Sequence, residues 1–223
     1  MKITDLVPQK KDPNRVSVFL DGQFAFGLSQ QIRFEQKLEI DGEIDQKTVT
    51  ALVSQDQLNR LVERMLRFLS FRPRSEKEVS DHFLYKAKLK DLTVSEIELA
   101  TYKKSIGKAI DKLKKLEQLN DTEFVSWWVG QRNRFKPKGV ALLKVELLQK
   151  GISRELIDNF FEKSSNSSES DLESALRAID KKLPSFQKLP STDFKKKVTQ
   201  FLLRRGFGWD IVSSVIDRTK PKS

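Results

Sequence analysis

The sequence predicts a mainly α-helical protein, with tandem three-helix repeats forming an elongated curved array behind a small N-terminal antiparallel β-sheet. Three observations lead there. An Asp-Gly pair separates two β-rich runs near the N-terminus. Apolar residues recur at helix spacing from about residue 45 onward. One pattern of basic residues, helix and glycine then recurs along the chain.

The sheet comes first. Arg15-Val16-Ser17-Val18-Phe19-Leu20 runs into Asp21-Gly22, and Gln23-Phe24-Ala25-Phe26-Gly27-Leu28 comes next. A type I′ turn needs positive φ at both central residues, which Asp-Gly tolerates. Pairing Leu20 with Gln23 sets Phe19 opposite Phe24, with Phe26 further along that face. Ile3 to Val7 supplies a third strand. So small a sheet needs covering by the rest of the chain.

From about Asp45 the period changes. Leu58, Leu61, Val62, Met65, Leu66 and Leu69 make one apolar stripe, and Arg60, Arg64 and Arg67 share another face. Pro73 stops that helix, and Ser75-Glu76-Lys77-Glu78 reads as a capping box for the next. Asn120-Asp121-Thr122-Glu123 opens a further helix, on which Phe124, Trp127 and Trp128 share a face. Ser164 to Ser170 has no apolar face and reads as a flexible linker.

The repeat is explicit in four pairs at one constant offset: Pro73/Pro137, Val79/Leu143, Phe83/Leu147 and Lys86/Lys150. A third copy, at a somewhat shorter offset, runs through Val198, Leu202, Leu203, Arg204, Arg205 and Gly206. Gly151 and Gly206 are placed to take the left-handed position that ends a helix. The expected organisation is a sheet over residues 1–45, a first repeat with its lead-in helix over 46–119, and a second over 120–163. A linker over 164–170, a third repeat over 171–218 and a disordered tail over 219–223 complete it. Such units bury their apolar faces only against neighbours.

Charge bounds the function. The formal net charge is +11, and residues 1–57 carry 7 basic and 9 acidic side chains, so the excess lies beyond them. A field of that size attracts nucleic acid, an anionic membrane or an acidic protein. No apolar run approaches the roughly 20 residues that span a bilayer. The first residues lack the apolar stretch of a secretory signal. Zero cysteines exclude disulfides and thiolate chemistry, and suit a reducing, cytoplasmic setting.

Catalysis finds no support, and no cofactor or metal is expected. His82, the sole histidine, lies beside Phe83 and reads as structural. Gly206-Phe207-Gly208 is a lone G-x-G, better read as a turn between helices, and no P-loop motif occurs. Glu96 and Glu98 read as solubilising. Trp127, Trp128 and Phe207 read as core. The binding candidates are basic: Arg72 and Arg74 in the first copy; Arg132, Arg134, Lys136, Lys138 and Lys150 in the second; Lys195, Lys196, Lys197, Arg204 and Arg205 in the third. No acid lies among Arg132 to Lys138, so these four are expected to stand unpaired, as phosphate contacts require.

Three strings in order now resemble a known family. They are Leu69-Ser70-Phe71-Arg72-Pro73-Arg74-Ser75-Glu76-Lys77-Glu78-Val79; Asn120 to Phe124 with Arg132-Asn133-Arg134-Phe135-Lys136-Pro137-Lys138-Gly139 and Glu146-Leu147-Leu148-Gln149-Lys150-Gly151-Ile152-Ser153; and Phe201-Leu202-Leu203-Arg204-Arg205-Gly206-Phe207. Together they resemble the RecX regulators of the RecA recombinase, over roughly residues 58–218. The N-terminal sheet resembles an extension found in some members. Ala87 stands where a glycine is usual, a longer connection runs from about Lys88 to Lys104, and Gly208 replaces a serine-like N-cap. The resemblance implies a cytoplasmic monomer of three-helix repeats that binds in the groove of the RecA–DNA filament and inhibits it, in DNA recombination, repair and the SOS response. It implies contact with single- or double-stranded DNA, through the filament or directly, and none with membrane. The alternative is a sequence-independent nucleic-acid-binding protein using the same basic face; an enzyme is a distant third.

Overall fold

The computed structural model describes residues 1–90, 95–164 and 168–220. Among them the chain forms eleven helices and one three-stranded antiparallel sheet, as the fold class requires. It divides into two compact units, Met1–Phe71 with Lys86–Gln118, and Arg72–Tyr85 with Leu119–Ser223.

In the first unit, β1 (Ile3–Gln9), β2 (Asp12–Leu20) and β3 (Gln23–Ser29) lie in that order. Asp21 and Gly22 both have positive φ, 50° and 84°, so the turn is the one that Asp-Gly predicts. Leu20 pairs with Gln23 and Phe19 with Phe24. One expectation fails here. The register shifts so that Val18 meets Phe26, leaving Ala25 as an extra residue. This bulge breaks the period of two. Phe24 is therefore 61% exposed, edge-on to Phe19, while Phe26 is 7% exposed on the inner face.

That inner face, with Val16, Val18 and Leu28, is covered by Ile32 of α1 (Gln30–Glu35), by Ile44 and by Leu52 of α2 (Gln46–Leu69). A polar tie locks the cover. Asp56, only 3% exposed, accepts two hydrogen bonds from Arg15 at 3.1 and 2.8 Å and one from the Ser29 amide at 2.9 Å. The second half of α2 packs on α4 (Glu96–Lys115), where Leu61, Val62 and Met65 and, on α4, Ile106, Ala109, Ile110 and Leu113 are buried. The connection expected from Lys88 to Lys104 is mostly helix. α3 (Glu76–Lys90) continues through Ala87, and Ser95 and Glu98 form a capping box for α4. Residues 91–94 of that connection lie outside the described residues.

The second unit holds the start of α3 together with α5 (Asp121–Phe135), α6 (Val140–Gln149) and α7 (Arg154–Ser164). The last four helices belong to it as well: α8 (Ser168–Ile179), the short α9 (Leu183–Phe186), α10 (Ser191–Leu203) and α11 (Trp209–Thr219). One apolar cluster gathers Phe124, Val125, Leu147, Ile152 and Ile157. Another gathers residues of α8, α10 and α11 around Phe194, Val198, Leu202 and Phe207. Helix thus enters both ends of the stretch read as a linker, and residues 165–167 lie outside the described residues. Thr219, read as the start of the tail, instead closes α11, buried and bonded to the Val215 carbonyl at 2.6 Å. Residues 221–223 lie outside the described residues.

The sequence repeat reappears as a repeated joint. Ser75 Oγ donates to the Lys150 carbonyl at 2.7 Å. At the equivalent place one repeat later, the Gly139 amide donates to the Arg205 carbonyl at 2.8 Å. Gly151 and Gly206 have φ of 83° and 80°, as helix-ending residues. Their lack of a side chain matters twice. A Cβ on Gly151 would stand 2.5 Å from Lys77 Cβ, and one on Gly206 would stand 2.8 Å from Leu142 Cβ. In the second and third repeats the terminal glycine is where the preceding repeat's helix approaches.

Gly139 meets Gly206 still more tightly, since a Cβ on Gly139 would lie 2.0 Å from the Gly206 carbonyl oxygen. Gly139→Ala is therefore expected to destabilise the protein by about 1–3 kcal/mol through overpacking. Gly130→Ala, inside α5 with nothing within 4 Å, should stabilise by about 0.5–1 kcal/mol. Denaturant titrations of the two variants check the opposite signs; equal effects would remove the joint from the account.

Candidate anion-facing interface

The candidate cations fall into two groups that the sequence does not distinguish. Glu78, on the first turn of α3, accepts from both guanidinium nitrogens of Arg72, at 2.9 and 3.2 Å, and from Lys150 Nζ. Glu146 on α6 accepts from Arg132 Nε at 2.8 Å, from the Trp128 indole N–H at 2.9 Å and from Lys138 Nζ. The rings complete the circuit. Arg132 Cζ lies 4.3 Å and Lys150 Nζ 5.1 Å from the Trp128 ring centre, and Arg72 Cζ lies 5.6 Å from that of Trp127. Arg72, Lys150, Trp128, Arg132 and Lys138 thus join one network with the two carboxylates.

Two expectations are corrected. Arg132 and Lys138 are not unpaired: their acid lies on the next helix, out of sight of the local sequence. Only half of the capping box at Ser75 forms. Ser75 Oγ accepts from the Glu78 amide at 3.1 Å, while the Glu78 carboxylate serves the two cations and Asp121 caps the Glu76 amide at 2.9 Å. Trp127 and Trp128 pack against the Phe124 cluster, as a core reading expects, and Phe207 is buried.

Burial pushes the Glu78 carboxyl up, but hydrogen bonds and charge from Arg72 and Lys150 outweigh it and hold it below the ordinary range. Glu146 shows the same balance, with Lys138, Arg132 and Trp128 overcoming its burial. Burial and then the Arg72 charge lower Arg74. Arg205, half-buried, donates to the Pro137 carbonyl at 3.3 Å and stacks on Phe201.

The second group faces solvent. Arg134, Lys136, Lys195, Lys196, Lys197 and Arg204 are exposed and make no ion pair among the described residues. Apolar side chains lie beside them in the chain. Phe135, between Arg134 and Lys136, is 66% exposed, and Leu203 precedes Arg204 with 46% exposed. Leu148, the counterpart of Leu203 in the second repeat, is exposed as well. Sequence reasoning missed Glu78 and Glu146 as organisers, and missed the exposed Phe135 and Leu203. A signal was available for Glu146, the one acid in the mostly apolar α6, and none for Glu78, whose neighbours one helical turn away are polar. These exposed cations offer charge to an anion, with exposed apolar side chains next to Arg134, Lys136 and Arg204 in the chain. Among the described residues no three potential ligands gather as a metal site, and no helix is long and apolar enough to cross a membrane.

Comparison with known proteins places these features. Residues 1–45 match the regulatory protein RecX N-terminal domain, residues 120–159 the second three-helix domain of RecX, and residues 169–216 its third. Regulatory protein RecX of Clostridium botulinum (strain Eklund 17B / Type B) is 30% identical over 217 residues, covering 96% of this chain and 94% of the relative. That of Bacillus subtilis (strain 168) is 30% identical over 216 residues, covering 97% and 76%. A crystal structure of regulatory protein RecX superposes with a TM-score of 0.72 over 97% of this chain and 98% of its own, at 24% identity. One of RecX from Lactobacillus salivarius gives 0.56 over 74% and 97%, also at 24%.

The carboxylates make stability acid-sensitive. A folded-state pKa held below the ordinary value of about 4.5 contributes stability above that pH, which is lost as pH falls through the lowered value. Glu78→Gln is expected to cost about 1–3 kcal/mol near neutrality, toward the low end because its cations are partly solvated, and to reduce the acid sensitivity. Melting temperatures recorded from neutrality to below pH 4 check both the loss and the flattened profile.

Proposed function

The chain belongs to the RecX family of regulatory proteins, and from that premise we propose that it regulates a RecA-type recombinase, acting as an inhibitor that binds in the groove of the recombinase–DNA filament. The observation that carries this reading is the mixed character of the solvent-facing group. Arg134 and Lys136 flank the exposed Phe135, and Leu203 adjoins Arg204. Bare phosphate asks for charge alone, with contacts that are independent of sequence. A filament offers phosphate and protein surface together, and an exposed aromatic or leucine gains from the second only. The reappearance of this combination in the second and third repeats suits an elongated, repetitive partner, where several weak contacts add through effective concentration.

Direct binding to nucleic acid is the competing reading, and co-sedimentation separates the two. The protein is expected to pellet with pre-formed recombinase filaments at a salt concentration where bare single-stranded DNA no longer retains it. Phe135→Ala should weaken filament binding and leave binding to bare DNA unchanged. Arg134→Ala with Lys136→Ala should reduce the log–log salt slope by about 1.4–1.8, if both meet phosphates. Equal retention by bare DNA and by filaments would overturn the reading.

A further inference from the structure

Between residues 101 and 115, α4 carries six lysines and a single acid. Its inner face is apolar, with Ile106, Ala109, Ile110 and Leu113 buried. On the opposite side Lys104, Lys108, Lys112 and Lys115 succeed one another at steps of four, four and three and are all exposed. Steps of four place successive cations about 6 Å apart along the axis. Among the described residues none of the four makes an ion pair, and neither does Asp111. Lys112 Nζ instead donates to the Asn59 side-chain oxygen on α2 at 2.9 Å.

Like charges at these spacings repel and weaken a helix. Elsewhere the chain sets opposite charges there: Lys77 with Asp81, Glu173 with Arg177, Asp217 with Lys220. Cations in a last turn complement the helix dipole, which accounts for Lys112, Lys114 and Lys115 but not for Lys104 and Lys108. The stripe is therefore not arranged for the stability of its own helix. An external anion would relieve the repulsion.

We infer that this face of α4 binds the phosphate backbone of double-stranded DNA without regard to sequence. This face belongs to the first unit and Phe135 to the second, and the inference does not rest on the recombinase reading. Between Lys104 and Lys115 the stripe has no aromatic ring on which the bases of a single strand would stack. The exposed apolar side chains nearby, Ile97 and Leu116, lie outside that span, so between the lysines the apolar contact that an acidic protein partner would favour is missing. What it offers is regularly spaced point charge, and a duplex presents one phosphate charge per about 1.7 Å of axis.

The test uses the full chain and a short fluorescent duplex, with anisotropy recorded over a range of salt concentrations. Combining Lys104→Gln, Lys108→Gln, Lys112→Gln and Lys115→Gln should make the log–log salt dependence shallower by about 3–4. The single variant Lys108→Glu separates binding from folding. It meets Lys104 and Lys112 with the opposite charge, against a single like-charged neighbour, Asp111, so the melting temperature should rise while duplex affinity falls. A raised melting temperature with duplex binding unchanged would mean a merely solvated stripe and overturn the inference. Loss of recombinase binding by the fourfold variant with duplex binding intact would overturn it in favour of an acidic protein surface. A failed filament experiment leaves this inference standing, because its readout contains no recombinase.

Discussion

Glu78 and Glu146 hold the centre of the second unit together. Each is a half-buried carboxylate that accepts from two cations at once, and Trp128 connects them by donating to Glu146 while Lys150 and Arg132 lie over its ring. Removing such a carboxylate leaves several partly desolvated cations facing one another, so the network stands or falls together. It also ties α3 to the end of α6 through Glu78 and Lys150, beside the bond from Ser75 to the Lys150 carbonyl. The first joint is thus fastened by side chains. At the second, Leu142 takes the place of Glu78 and Gly139 that of Ser75, and the ties run instead to backbone carbonyls, from the Gly139 amide to Arg205 and from the Arg205 side chain to Pro137.

This changes what the net charge means. A formal +11 is a property of the sequence, but the charge available to a partner depends on which cations are already engaged. Arg72, Arg132, Lys138 and Lys150 are spent on internal contacts, and their loss would be felt first as lost stability. Arg134, Lys136, Lys195, Lys196, Lys197 and Arg204 are the ones presented outward, two of them around an exposed phenylalanine. A partner with phosphate and protein faces matches that presentation better than either alone. Lys104, Lys108, Lys112 and Lys115 of α4 are of a third kind: exposed, regularly spaced and in no ion pair among the described residues.

Much of this was legible from local pattern. The Asp-Gly turn, the helix-ending glycines at 151 and 206 and the constant offsets between repeats derive from short-range stereochemistry and period, and the backbone angles agree. The three strings that resemble RecX sit where the repeated joint forms. Local rules failed where a distant residue competed for the same group. The Glu78 carboxylate serves Arg72 and Lys150 rather than its own N-cap, and one extra residue at Ala25 turned Phe24 outward against a period of two.

The sequence by itself determined the family, the mainly helical class with its small sheet, the repeat and the sign of the charge, because composition and periodicity are carried by neighbours within a few residues. Only the tertiary structure decided which cations are free. Arg132 and Arg134 are two residues apart and chemically alike, yet one meets Glu146 across a helix connection and the other meets solvent. Pairing depends on distance in space, which falls to about 3 Å for residues separated by 14 or 72 positions along the chain, and no local pattern encodes that approach.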